Sequence, residues 1–255
     1  MKEKQIHTYG IKNISFKDRV LPLVTDIIFP PRCVMCDNVI SPGKKLICDE
    51  CEGELKYVLE PRCFKCGKEV TSEEDEYCPD CEKRSRSFVR GFPVFNYVPP
   101  VSDSLMALKY RGRQEYAVYF GRVISEKYGT EFKRLGIDAL VSVPIYKKKY
   151  VTRGYNQAAL IAKEIGKCTG IVFFDKLLLR VEETPPQKEL SDEEREKNME
   201  GAFAIDKTVD KLPKTVLLVD DIYTTGATIE ACTRILLKAG VERVYYTSVA
   251  IGVGS

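Results

Sequence analysis

From Gly91 onward, short apolar runs alternate with stretches whose apolar residues recur three and four positions apart. The runs Phe92 to Val98, Ala139 to Val143, Ile171 to Phe174, Leu177 to Val181, Val216 to Val219 and Val244 to Ile251 predict strands. Helical spacing covers Ser102 to Lys109, Tyr116 to Tyr128, Gln157 to Lys167 and about Ala227 to Lys238. Val216 to Val219 shows no polar alternation, which predicts a strand buried on both faces. This order argues for an α/β fold, a mainly parallel sheet with helices on both faces. Upstream, Phe16 to Phe29 carries helical spacing (Val20, Leu23, Val24, Ile27, Ile28), with Pro22 limiting its start and Pro30-Pro31 ending it. Glu182 to Asn198 is highly charged and lacks an apolar stripe, so it predicts a long polar loop inside a compact domain.

Between the first helix and the first strand, cysteines replace apolar periodicity. Eight of the ten form Cys-x-x-Cys pairs, Cys33/Cys36, Cys48/Cys51, Cys63/Cys66 and Cys78/Cys81, at a period of 15 residues. Each such turn aims two thiolates at one tetrahedral metal, and two turns complete a closed Cys₄ site. Two structural zinc ions are therefore expected. Pairing of neighbouring turns, Cys33 to Cys51 and Cys63 to Cys81, closes shorter loops than a crossed arrangement and is the expected form. Gly67 suits the tight turn of the third knuckle. Cys168 and Cys232 fall on expected helices and read as buried thiols. The chain thus divides into an N-terminal extension and helix (1–32), a double zinc ribbon with a linker (33–90) and the α/β domain (91–255).

Composition changes this picture little. Apolar content of 44% suffices for a packed core, and the formal charge of +3 does not establish a nucleic-acid partner. Eight thiolates with two Zn²⁺ contribute −4 and bring that charge to −1. No run of about 18 apolar residues is present, so no membrane span is expected. Met1 to Lys12 lacks the apolar core of a secretory signal, and a cytoplasmic location follows by default.

The densest chemistry lies at Val216-Leu217-Leu218-Val219-Asp220-Asp221-Ile222-Tyr223-Thr224-Thr225-Gly226-Ala227-Thr228. A buried strand is expected to end in two carboxylates, followed by a hydroxyl-rich turn and a helix. Asp220 and Asp221 can accept hydrogen bonds from vicinal hydroxyls or hold Mg²⁺ through water. The turn from Tyr223 to Thr228 offers backbone N–H groups and the Thr224, Thr225 and Thr228 hydroxyls. Gly226 permits close approach, and the helix beginning at Ala227 presents its positive end. A ribose 5-phosphate suits this order. Ser142-Val143-Pro144-Ile145 ends another strand just before Lys147-Lys148-Lys149, and by its residues alone it reads as a strand-to-loop transition. In Arg153-Gly154-Tyr155-Asn156-Gln157, Asn156 can cap the next helix and Arg153 can fork onto a phosphate or a carboxylate. Lys109, Tyr110, Arg111 and Lys147, Lys148, Lys149 interleave cations with aromatics as single-stranded DNA binders do, although the lysine run also reads as a solvated face. Lys83, Arg84, Arg86 and Arg90 can extend that track.

The Asp220–Thr228 segment resembles the 5-phosphoribosyl-1-pyrophosphate (PRPP) loop of type I phosphoribosyltransferases. The wider series resembles the ComF family: Phe29-Pro30-Pro31-Arg32-Cys33, the four knuckles, Leu108-Lys109-Tyr110-Arg111-Gly112, Val143-Pro144-Ile145, Arg153-Gly154-Tyr155-Asn156-Gln157, then Arg180, Thr184, Gln187, Arg195, Asn198 and Gly201-Ala202-Phe203, and finally the PRPP loop. Tyr110 and Tyr155 stand where that family often has Phe. The resemblance implies a double zinc ribbon joined to a type I phosphoribosyltransferase fold, and a cytoplasmic role in natural transformation with single-stranded DNA. It implies that Asp220, Asp221 and Arg153 are catalytic if transfer occurs, that Pro144 faces pyrophosphate of Mg²⁺–PRPP, and that Arg180, Gln187, Arg195 and Asn198 belong to a flexible covering loop. Three readings stand: a PRPP and DNA binder, an active transferase, and a zinc-ribbon docking module for a competence helicase or another uptake protein.

Overall fold

The structure, a computed structural model, describes residues 30–41, 46–181, 201–209 and 211–253. The helix expected over Phe16 to Phe29 and the charged stretch carrying Thr184, Gln187, Leu190, Arg195 and Asn198 lie outside these residues. In chain order the elements are α1 (Asp49–Glu54), α2 (Pro79–Lys83), β1 (Gly91–Asn96), α3 (Val101–Tyr110), α4 (Tyr116–Arg134), β2 (Ala139–Ser142), α5 (Lys147–Arg153), α6 (Gln157–Thr169), β3 (Val172–Phe173), β4 (Leu178–Arg180), β5 (Phe203–Ile205), β6 (Thr215–Tyr223), α7 (Ala227–Ala239) and β7 (Arg243–Ile251).

Five strands form one sheet in the order β1-β7-β6-β2-β3, every neighbouring pair parallel. Strands β4 and β5 form a separate antiparallel pair. Central strand β6 shows why its sequence is apolar without alternation. Leu217 and Val219 enter the core shared with α3, α4 and α6, while Val216 and Leu218 enter the core shared with α7. All four are fully buried, as a sheet covered on both faces requires.

Each ribbon joins a different one of these cores. Cys33, Val34, Met35, Ile47 and Cys51 pack with Leu105, Leu108 and Phe120 on one face, whereas Cys63, Cys66 and Cys78 pack with Phe88, Tyr223 and Tyr246 on the other. Backbone bonds from Val58 N to Val94 O (2.9 Å), Asn96 N to Lys56 O (2.8 Å) and Gly91 N to Lys65 O (2.8 Å) cover the outer edge of β1, which would otherwise be open to pairing with other chains. The Tyr246 hydroxyl donates to Cys66 O at 2.7 Å. Gly67 sits at φ 75°, and a Cβ there would lie 2.6 Å from Pro93 Cδ and 2.9 Å from Gly91 O. The matching position of the first ribbon is Asp37, at φ 64°. Its carboxylate receives Arg113 Nη2 at 2.5 Å and the Tyr116 hydroxyl at 2.8 Å, pinning that ribbon to α4.

Two expectations need correction, and one helix stands where no element was expected. Strand β6 runs on through Tyr223, paired to Ile251 at its end, so Asp220 and Asp221 lie within the strand; ladder pairing uses backbone groups and continues past polar side chains. Lys147 to Arg153 forms helix α5, which carries no apolar stripe to reveal it. Cys168 is exposed on the last turn of α6, while Cys232 is buried as expected.

Gly67→Ala is expected to lower stability by about 2 kcal/mol, combining left-handed strain with overlap against β1. Denaturant unfolding measures this; unchanged stability would show that the knuckle does not press on the sheet edge.

Candidate functional site

The eight paired cysteines form two groups, Cys33, Cys36, Cys48, Cys51 and Cys63, Cys66, Cys78, Cys81, each with its sulfurs within 4.8 Å of one another. Neighbouring turns pair, as expected. Cys36 and Cys48 sulfurs are 3.9 Å apart and those of Cys66 and Cys78 are 3.6 Å apart. A tetrahedron with Zn–S of about 2.3 Å has edges of about 3.8 Å, whereas a disulfide needs about 2 Å. Met35 N and Cys48 N both donate to Cys33 Sγ at 3.4 Å. Burial raises the Cys33 thiol, and the backbone N–H groups of Cys36, Cys48 and Met35, with the Cys36 side chain, outweigh it and bring the thiol down to about 7. Four thiolates would fill the coordination sphere of a zinc ion at each group, so such an ion would serve structure. Helices α1 and α2 each begin directly after a ligand, Cys48 or Cys78.

At the carboxyl end of the sheet lies a cleft of about 170 Å³. Pro144 after β2, Arg153 at the end of α5, Arg180 at the end of β4, Asp220 in β6 and Thr228 at the start of α7 all line it. Lys109, Tyr110, Lys149 and Gln157 complete much of the wall. A larger cavity of about 490 Å³ adjoins it, sharing Lys109, Tyr110, Lys149 and Arg153 and adding Lys148 and Thr152. Arg153 donates to Gln157 Oε1 and lies over the Tyr110 ring, 5.2 Å from its centre. Asn156 caps α6 by accepting from Ala158 N at 3.1 Å and also donates to Val143 O at 2.9 Å. The cap thereby ties the Arg153 segment to the Pro144 turn.

The two aspartates differ. Asp221 is 4% exposed. Its Oδ2 lies 2.5 Å from Lys109 Nζ, and Gln157 Nε2 donates to Oδ1 at 3.4 Å. Burial pushes the Asp221 carboxyl up, but the Lys109 ammonium outweighs it and holds the group below its usual range. Lys109 shifts the opposite way, upward: burial opposes its charge and Asp221 more than restores it. Asp220 is pushed well above the carboxylate range by burial and by the negative charge of Asp221. A cation or donor entering the cleft would reverse that shift.

Several expected residues take other positions. The Lys109 ammonium turns inward to Asp221, so it is no free surface cation for DNA. The Tyr223 ring is buried, stacked on Tyr246 at 4.7 Å, leaving only its backbone for a ligand. Thr224 is exposed, Thr225 half-buried and Ala227 buried. Gly226 has φ 80°, and a Cβ on it would lie 2.2 Å from the Tyr223 hydroxyl, so the buried ring itself demands glycine. Tyr155 is core, donating to Leu108 O, whereas Tyr110 is 69% exposed. Lys147 and Arg111 are exposed and line neither cavity. Arg86 is buried, with Nη2 donating to Thr225 O at 2.7 Å, and is no part of a DNA track. Sequence reasoning missed this contact and the Lys109–Asp221 pair. Lys109 sits in a motif the reading did single out, but its partner lies more than a hundred residues away.

Lys109→Met is expected to cost about 3 kcal/mol near neutral pH by stranding the Asp221 charge. The depressed Asp221 pKa contributes stability above its unfolded value of about 3.9, lost as pH falls through the folded value. The raised Lys109 pKa contributes below about 10.4 and is lost as pH rises through its folded value. The difference between wild type and variant should therefore be full between about pH 5 and 9 and shrink in acid. Denaturation at several pH values checks this, and a gap independent of pH would contradict the pairing.

Comparison with known proteins agrees with this architecture. Residues 24–82 match the double zinc ribbon domain and residues 158–251 the phosphoribosyl transferase domain. The chain is 30% identical over 154 residues to the DNA utilization protein YhgH of Salmonella typhi, covering 59% of this chain and 67% of that protein. It is 27% identical over 218 residues to competence protein F of Haemophilus influenzae, covering 84% and 93%. Similarity to competence protein ComFC of Streptococcus pneumoniae is 30% over 151 residues, covering 59% and 63%. Among the described residues no helix is long and apolar enough to cross a membrane. With a ribbon pair, a phosphoribosyltransferase domain and these relatives, the chain belongs to the ComF family.

Proposed function

We propose that this protein binds Mg²⁺–PRPP in the cleft and single-stranded DNA on the adjoining basic face, as a cytoplasmic component of DNA uptake or use. The observation that supports this most is convergence. Pro144, Arg153, Arg180, Asp220 and Thr228 come from separate segments and line one cleft at the carboxyl end of a parallel sheet, where α/β folds bind ligands. The turn from Thr224 to Thr228 and the start of the 13-residue α7 would receive the 5-phosphate. Asp220 would accept the ribose hydroxyls, and Arg153 with the Pro144 turn would face pyrophosphate. The magnesium ion would neutralise pyrophosphate and favour the ionised form of Asp220. Asp221, tied to Lys109, positions its neighbour from behind.

The names of the relatives, DNA utilization and competence proteins, support a DNA role for this chain. Tyr110 offers an exposed ring backed by Arg153, and Lys148 and Lys149 stand beside it on α5. Aromatic stacking with adjacent cations suits a single strand. The track is narrower than the sequence suggests, because Lys109 and Arg86 are engaged inside. A second reading, an active phosphoribosyltransferase, is favoured by the larger cavity, which opens beside the cleft and has room for an acceptor. Release of pyrophosphate from PRPP with candidate acceptors, with and without DNA, separates the two.

Asp220→Asn is expected to raise the Kd for Mg²⁺–PRPP at least ~10-fold, as loss of a charged hydrogen-bond acceptor does, with DNA affinity unchanged. Calorimetry reads this, and equal PRPP affinity in the variant would remove the assignment. Lys148→Ala with Lys149→Ala should weaken single-stranded DNA binding and reduce the salt slope by about 1.4, at roughly 0.7 per phosphate contact. A flat salt response in the parent protein would count against DNA binding on this face.

A further inference from the structure

Residues between Cys81 and β1 leave the second ribbon and run across the beginning of α7. They make specific contacts there. Arg86 is 5% exposed although it stands among basic residues, and its Nη2 donates to the Thr225 carbonyl at 2.7 Å. Ser87 donates twice to the Glu230 carboxylate, from its backbone N at 2.8 Å and its hydroxyl at 2.6 Å. Glu230 is buried in the first turn of α7 and also receives Arg234 Nε at 2.8 Å. Phe88, fully buried, meets Tyr223 and Tyr246 edge-on at 6.4 Å and 5.0 Å. The Tyr246 hydroxyl holds Cys66 O, and the Tyr223 hydroxyl lies directly beneath Gly226.

Burying a guanidinium and a carboxylate contributes little net stability compared with apolar packing. Its effect here is directional. A trans peptide holds C=O and the following N–H antiparallel. A bond that fixes the Thr225 carbonyl toward Arg86 therefore turns the Gly226 N–H to the opposite side.

We propose that Arg86 is a positioning residue for the 5-phosphate: its bond to Thr225 sets the Thr225–Gly226 peptide, while Ser87 on Glu230 locks the segment to α7. The second zinc ribbon thereby shapes the phosphate loop through the segment that follows its last cysteine. This inference rests on the PRPP reading, and the ribbons become braces of the site as well as a covering for the sheet.

The test uses the full zinc-loaded chain and the variant Arg86→Met, which keeps the stem and removes the fork. Two probes are titrated, ribose 5-phosphate and inorganic pyrophosphate, with Mg²⁺–PRPP alongside. The Kd for ribose 5-phosphate and for PRPP should rise about 10-fold, as expected for a hydrogen bond to a charged group, while pyrophosphate and DNA affinities and two zinc ions per chain are retained. Arg86→Lys should restore part of the loss. Unchanged ribose 5-phosphate affinity in Arg86→Met overturns the proposal, as does an equal loss for ribose 5-phosphate and pyrophosphate, which would mark general damage. A wild-type chain that binds no PRPP defeats the functional reading itself, a distinguishable result. If Arg86→Met does not fold, Ser87→Ala serves: roughly 3-fold weaker ribose 5-phosphate binding is expected, because one of the two bonds to the Glu230 carboxylate is lost and the backbone N–H bond is kept, and equal affinity overturns the proposal.

Discussion

A carboxylate inside a parallel sheet persists only where a cation meets it, and the contact between Asp221 and Lys109 meets that condition here. It joins the central strand to the end of α3, and Gln157 joins the same carboxylate to the start of α6. Two helices that arrive from different parts of the chain are thus registered against one atom pair. The consequence reaches Asp220, whose carboxyl is left in the cleft beside a fixed negative charge. A carboxyl whose ionisation is disfavoured there is prepared for a ligand that brings positive charge with it.

The zinc ribbons extend this logic to the whole domain. Small ribbons have too little apolar surface to fold without metal, and here their buried residues are also shared with the sheet. The first contributes to the core over α3 and α4, the second to the core under α7. The departure from repeat symmetry follows from that placement. Gly67 fits where the second knuckle meets Pro93 and the backbone of Gly91, whereas Asp37, at the same step of the first ribbon, uses its side chain to reach Arg113 and Tyr116.

Much of the fold was legible because local pattern and tertiary burial agree. The β6 strand, the cap at Asn156 and the pairing of neighbouring knuckles all follow from rules that act within a few residues or within one closed loop. Helix α5 was hidden because Lys147 to Lys149 oppose the helix dipole at its first turn and its face is exposed. The chemistry at Asp220 was legible as a pairing of acids with a hydroxyl-rich turn, but the division of labour between the two acids was not, since it depends on where Lys109 arrives. Arg86 looked like one more surface cation in a basic stretch. Its burial is decided by α7, which follows more than a hundred residues later.

The bond from the Tyr246 hydroxyl to Cys66 O links residues 180 positions apart. During synthesis the second ribbon emerges before β7, and its docking surface is completed only when β7 leaves the ribosome. The metal knuckle must therefore wait with one apolar side uncovered until β7 has been made. Early zinc capture would keep its thiols from oxidation and wrong partners over that interval, and a chain cut short before the last strand would leave the ribbon undocked.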